Sequence, residues 1–119
     1  VSAPGFVDDL KEVYRNAAFT IAPIYSGGGT NIKILESLAY GRACVTTPYS
    51  AEAFLGDLAN TGLRVARDDR HFIEQCITLL NNTEERRRSA EEGWSRIKTR
   101  YTRKLFIERV TQLCISLLR

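Results

Sequence analysis

The chain has 119 residues, 44% of them hydrophobic and 26% charged, which suits one soluble globular domain with a real core and not two. A net charge of +3 does not by itself point to nucleic acid. No apolar run approaches the roughly 20 residues of a membrane span. No secretory leader is visible at Val1, and the chain lacks methionine and opens in mid-pattern, so it reads as a piece of a longer protein.

Residues 1–3 are expected to end a strand, which Pro4-Gly5 breaks. Asp9 with Glu12 three residues later is an acidic form of the capping box that opens a helix. Leu10, Val13, Tyr14 and Ala17 then fall on one apolar face, and the helix ends near Asn16. Residues 19–24 are a β-rich run, with Pro23 placed where the ladder stops. Ser26-Gly27-Gly28-Gly29 follows, and Thr30 or Asn31 can cap a helix from Ile32 to Tyr40. Ile32, Leu35, Leu38 and Ala39 are its expected buried stripe, widened by Ile34, and Gly41 is its stop. Residues 43–47 form a continuous β-prone run of the kind a parallel sheet buries on both faces, and Pro48 ends it.

A helical turn is expected over residues 50–55, a turn at Asn60-Thr61-Gly62 and a short edge strand over 63–66. Asp68 or Asp69 caps the next helix, with Phe72, Ile73, Cys76, Ile77 and Leu80 as its apolar side. Thr83 is expected to cap a charged helix to about Thr99, anchored by Ala90, Trp94 and Ile97. A last helix from about Arg103 carries the stripe Phe106, Val110, Leu113, Cys114 and Leu117, which reads as core packing. Strands alternating with helices in this order predict an α/β domain with a parallel sheet and right-handed crossovers. Ligands of such sheets bind outside the carboxyl ends of the strands, where the glycine turn and the loop over residues 47–50 lie.

Cys44, Cys76 and Cys114 are widely spaced among apolar residues and show no metal-ligand spacing, so they read as buried free thiols of a reducing compartment. His71 beside Asp69 and Arg70 reads as a solvated surface histidine. The arginines and lysines between Arg86 and Lys104 read as a solvated helix face in preference to a nucleic-acid patch. An anionic membrane surface is a weaker third reading.

The stretch with the most chemistry is Gly27-Gly28-Gly29-Thr30-Asn31-Ile32-Lys33-Ile34-Leu35-Glu36. The glycines admit positive φ and close ligand approach. The first N–H groups of the following helix lack intrahelical partners and suit an anion, phosphate above all. Lys33 adds a positive charge. Glu36 suits hydroxyls rather than phosphate, such as a ribose diol. Phosphate at the turn and ribose at Glu36 together describe a nucleotide. The plain structural alternative is a packing turn with Lys33 and Glu36 as a surface i, i+3 pair. Neither the P-loop pattern nor the dinucleotide fingerprint is met.

Together with Gly5-Phe6-Val7-Asp8-Asp9-Leu10, Ile21-Ala22-Pro23, Ser37-Leu38-Ala39-Tyr40-Gly41 and Val45-Thr46-Thr47, this stretch resembles the C-terminal domain of group 1 glycosyltransferases of the GT-B fold. The resemblance covers nearly the whole chain. It implies a Rossmann-like parallel sheet with flanking helices, the partial C-terminal half of such an enzyme, with residues 1–119 forming one nucleotide-sugar-binding domain and the N-terminal acceptor domain absent. It assigns Gly27, Gly28, Gly29, Thr30, Asn31, Lys33 and Glu36 to the donor. Many members carry a second glutamate eight positions before the one matching Glu36, where this chain has Gly28. The family's donor-clamping Arg and Lys precede anything present in the chain, so the chain alone is expected to be inactive.

The implied activity is transfer of a sugar from a nucleoside-diphosphate sugar to an acceptor hydroxyl with retention. The acceptor is a glycan, a lipid or another hydroxyl compound, reached through the missing N-terminal domain. The donor is a substrate; no cofactor and no metal are expected, and no residue is assigned a catalytic role. Nucleic acid is not an expected partner. The expected location is cytoplasmic, with peripheral membrane association as a secondary option. The competing class is a non-enzymatic α/β module that binds a ligand or partner. A receiver-like form of it would need acids directly after the strands at 19–24 and 43–47, and none follows them.

Overall fold

A computed structural model describes residues 1–28, 31–54, 56, 58 and 62–118. Gly29 and Thr30 of the glycine stretch, and Asn60 and Thr61 of the expected turn, lie outside the described residues. The elements in order are α1 (Leu10–Asn16), β1 (Thr20–Ala22), α2 (Ile32–Ala39), β2 (Cys44–Thr46), α3 (Pro48–Ala51), a 3-10 turn (Glu52–Phe54), β3 (Leu63–Val65), α4 (Asp69–Asn81), α5 (Thr83–Arg100) and α6 (Arg103–Leu117). The three strands form one parallel sheet in the order β1-β2-β3. This is the predicted α/β, Rossmann-like architecture. Residues 1–3, expected to end a strand, carry no strand structure.

The central strand explains the layering. Cys44, Val45 and Thr46 are all buried and alternate between faces. Cys44 joins Ile34 and Leu38 of α2, Ala51, Phe54 and Leu63 in one core. Val45 turns the other way and joins Ala43 and Leu79, with Phe72 and Cys76 of α4 packed against them. Helices therefore cover both faces and β2 is buried along its whole length, with the Thr46 hydroxyl donating to the Ala22 carbonyl. Full burial of Ile34 and Leu38 contributes about 1.5–3 kcal/mol each.

The buried faces of the helices differ from the expected ones. In α2, Ile34, Ser37 and Leu38 are buried, whereas Ile32 and Ala39 are exposed. Ser37 fits because its hydroxyl meets that of Thr20 at 2.5 Å. In α4 the inward line is Phe72, Cys76 and Leu79; Ile73, Ile77 and Leu80 face outward. In α5 the buried residues are Ser89 and Gly93, while Trp94 is exposed beneath the Lys98 ammonium. No residue of α6 is buried, and its Phe106, Val110, Leu113 and Leu117 stripe stands open. The core reading of that stripe is therefore overturned.

The helix ends are satisfied in specific ways. Asp9 caps α1 by accepting from Lys11 N–H, but Glu12 pairs with Arg15 instead of closing a capping box. Arg42 caps the other end of α1, donating to the carbonyls of Tyr14 at 2.7 Å and Arg15 at 2.9 Å. Gly41, at φ +70, and Arg42 return their N–H groups to Leu38 and Ser37 in a Schellman turn. Asp68 caps α4. Asn82, not Thr83, caps α5. Arg86 donates to the Leu79 carbonyl at the end of α4. Arg87 and Arg88 form ion pairs with Glu84, Glu91, Glu85 and Glu92 along the exposed face of α5.

Cys44 is buried, Cys76 half-buried and Cys114 exposed, so only the first matches the expected burial; all three are free thiols. His71 is half-buried, not fully solvated, and its Nδ1 accepts the Arg67 N–H. Among the described residues, no helix is long and apolar enough to cross a membrane.

Candidate functional site

The site is built where β1 and β2 end. Pro23 has no N–H to continue the ladder, and Ile24 N–H turns back to the Ala22 carbonyl. The chain then enters the glycine turn, with Gly27 at φ +119, a conformation that favours glycine strongly. A side chain on Gly28 would meet nothing within 4 Å, so the turn presents bare backbone to open space.

The turn is held from the β2–α3 side. Thr47 caps α3 through the Ser50 N–H and donates its own hydroxyl to the Ile24 carbonyl. Ser50 donates to the same carbonyl at 3.2 Å. The Tyr49 hydroxyl donates to the Gly27 carbonyl. The Asn31 amide donates to the Ser50 carbonyl at 3.3 Å. Since that side chain is committed there, Asn31 stands at the N-terminal cap position of α2 without a side-chain capping bond. Tyr25 reaches away to Asp69 at the start of α4, at 2.7 Å, and this bond raises its pKa.

Two openings flank the turn. On the β2–α3 side a pocket of about 340 Å³ runs between Gly27, Gly28 and Asn31 on one wall and Tyr49, Ser50 and Glu52 on the other. On the α1 side a smaller apolar groove of about 300 Å³ is lined by Leu10, Val13, Tyr14, Ile21 and Lys33. Glu36 also faces α1, where the Tyr14 hydroxyl donates to its Oε2 at 3.4 Å. Tyr14 is held in turn by stacking on Tyr40, ring centres 4.7 Å apart. Burial raises the Tyr14 pKa, and the Glu36 charge and hydrogen bond add to the shift.

The seven candidate residues therefore divide. Gly27, Gly28 and Asn31 share the β2–α3 pocket. Lys33 and Glu36 lie together on the α1 flank of α2, with no ion pair between them. Gly29 and Thr30 lie outside the described residues. The strand-end rule already pointed to residues 47–50, but not to the individual roles of Tyr49 and Ser50. Tyr14 as the partner of Glu36 had no local signal, because the two are 22 residues apart.

A larger depression, about 670 Å³, lies elsewhere, between the C-terminal end of α2 and α5. Its walls include Tyr40, Ala90 and Trp94, and its arginines are engaged: Arg86 with α4 carbonyls and Arg87 with Glu84 and Glu91. It sits at the end of α2 away from the glycine turn. The smaller pocket, with bare backbone and a carboxylate, is the better chemical candidate.

No curated protein and no solved structure matches the chain. The sequence profile of the family described as "Glycosyl transferases group 1" matches residues 1–82, which contain all three strands and the whole glycine turn. A match over more than half of the chain, on the elements that build this site, establishes that the chain belongs to the group 1 glycosyl transferases.

Proposed function

We propose that this chain is the nucleotide-sugar-binding part of a GT-B glycosyltransferase, which moves a sugar from a nucleoside diphosphate to an acceptor hydroxyl with retention. The observation that carries the reading is the glycine turn at the β1 carboxyl end, directly before α2, with Glu36 held on the flank of that helix. The diphosphate lies at the backbone N–H groups of the turn and the first turn of α2, where the helix dipole favours negative charge. Lys33 adds charge on the same helix. Glu36 accepts hydrogen bonds from the ribose hydroxyls, and Tyr14 fixes the orientation of its carboxylate. The acceptor, a glycan, lipid or other hydroxyl compound, is held by a separate N-terminal domain. Donor binding requires no metal in this reading.

Titration of the chain with UDP and GDP, followed by NMR of the backbone amides, tests this. The expected result is shifts concentrated in residues 26–36 at millimolar ligand, weakened by Glu36→Gln. An unchanged spectrum with both nucleotides overturns it.

A further inference from the structure

The pocket on the β2–α3 side of the glycine turn is lined by one carboxylate, that of Glu52. Glu52 begins the 3-10 turn after α3, is exposed and lines the same pocket as Gly28. It has no hydrogen-bond or ion-pair partner among the described residues. Three neighbouring side chains are committed: Tyr49 to Gly27, Asn31 to Ser50, and Ser50 to Ile24. Glu52 is thus the wall's unengaged charged acceptor.

The chemistry of that acceptor limits its ligand. A carboxylate repels a diphosphate and accepts hydrogen bonds from hydroxyls, two at once from a vicinal diol. The facing wall is bare glycine backbone, which allows a ring to approach closely. About 340 Å³ is at the low end of small-molecule sites and suits a monosaccharide better than a whole nucleotide sugar. Glu36 stands on the opposite, α1 side of the same turn.

We propose that Glu52 holds the hydroxyls of the donor's sugar, so that one extended nucleoside-diphosphate sugar spans the glycine turn, with its ribose at Glu36 and its sugar at Glu52. This rests on the nucleotide-sugar reading given above and adds a residue that discriminates among sugars. Removing the Glu52 charge acts on the sugar alone. It leaves nucleoside diphosphate binding unchanged, or tightens it slightly by relieving repulsion.

The test is a set of calorimetric or NMR titrations of the chain with UDP, UDP-glucose, GDP and GDP-mannose, using the native protein, Glu52→Gln and Glu36→Gln. Glu52 is exposed and makes no hydrogen bond or ion pair among the described residues, so an unchanged melting temperature of Glu52→Gln is its folding control. The expected result is about tenfold weaker binding of the sugar nucleotide by Glu52→Gln with the matching diphosphate unaffected, while Glu36→Gln weakens both. Equal effects of Glu52→Gln on sugar nucleotide and diphosphate, or none on either, overturn the role of Glu52 and leave the nucleotide site standing. Failure of the native protein to bind any of the four overturns the nucleotide-sugar reading and this inference with it.

Discussion

Gly62 and Gly93 touch backbone to backbone: a methyl built on Gly62 would lie 2.5 Å from the Cα of Gly93 and closer still to the Ser89 carbonyl oxygen. Gly62 opens β3 at φ +87, and Gly93 is the buried contact of α5 beneath it. The same point of α5 meets the Leu38 side chain of α2. This crossing sets how closely α5 lies against the sheet and α2, and so helps hold α2 where the site needs it.

Gly62→Ala is predicted to be among the most damaging single changes in the chain. The left-handed backbone costs a residue with Cβ roughly 1–2 kcal/mol. The overlap with Ser89 and Gly93 adds about 1–3 kcal/mol. Thermal unfolding followed by circular dichroism should show a loss of about 10 °C. Gly93→Ala should cost less, because its new methyl meets the movable end of Leu38 at 2.7 Å and gains about 1 kcal/mol in helix propensity. A Gly62→Ala protein that melts with the native one would show that this crossing is not tight.

What the sequence reveals and what it hides have physical causes here. The continuous β-prone run at residues 43–47 reads as a strand of the kind buried on both faces, and Asp9, Gly41 and the Asp68-Asp69 pair act locally as helix signals, so these were legible. In α4, Phe72-Cys76-Leu79 and Ile73-Ile77-Leu80 are two apolar lines one residue apart. Only the position of the sheet decides which turns inward. An amphipathic pattern shows that α6 has an apolar face, not that anything covers it. Gly62 and Gly93 meet across 31 residues (93 minus 62), and no local pattern could pair them. In the candidate site, the placing of the glycine stretch between β1 and α2, with Glu36 on α2, was legible because strand, turn and helix are consecutive. Tyr14 and Tyr49 were not, because each reaches across 22 residues.

The Tyr14–Glu36 contact predicts a spectroscopic signature. The pKa of Tyr14 is raised, first by burial and then by Glu36, so its neutral form is favoured in the folded state. Its contribution to stability is therefore complete below the ordinary tyrosine value of about 10 and is lost as pH rises through the higher folded value. Ultraviolet titration should show late-ionising tyrosine absorbance that loses one component in Tyr14→Phe. The Glu36→Gln change should move that component back toward the ordinary value. An unaltered titration curve in Tyr14→Phe would contradict the contact.

Glu85 predicts acid sensitivity of the α5–β3 contact. Its carboxylate is held by Arg88 and Arg64, and these hydrogen bonds lower its pKa. Arg64 also reaches Gln75 of α4 and Ser89 of α5, so the pair ties β3 to both helices. A depressed carboxyl pKa means stability that is present above the unfolded value of about 4.3 and lost as pH falls through the folded value. Urea unfolding of native protein and Glu85→Gln should therefore differ at pH 7, and by less and less as pH falls below about 4.3. A difference that persists undiminished at pH 3 would show that the charge on Glu85 is not what matters.

The three cysteines should react in an order set by burial. Cys44 lies at the centre of the sheet, and burial pushes its thiol up to about 11. At pH 8 only about one Cys44 in a thousand is thiolate, and the reagent must also reach a side chain packed against Ile34 and Leu38. Cys76 is half-buried and raised for the same reason, to a smaller extent of burial. Cys114 stands exposed on α6. Titration with an aromatic disulfide at pH 8 should thus give one fast thiol, one slower and one that appears only in denaturant. Replacing Cys114 with Ser should remove the fast phase alone. Rapid reaction of all three in the native protein would mean that β2 opens readily, and with it the strand end on which the glycine turn is anchored.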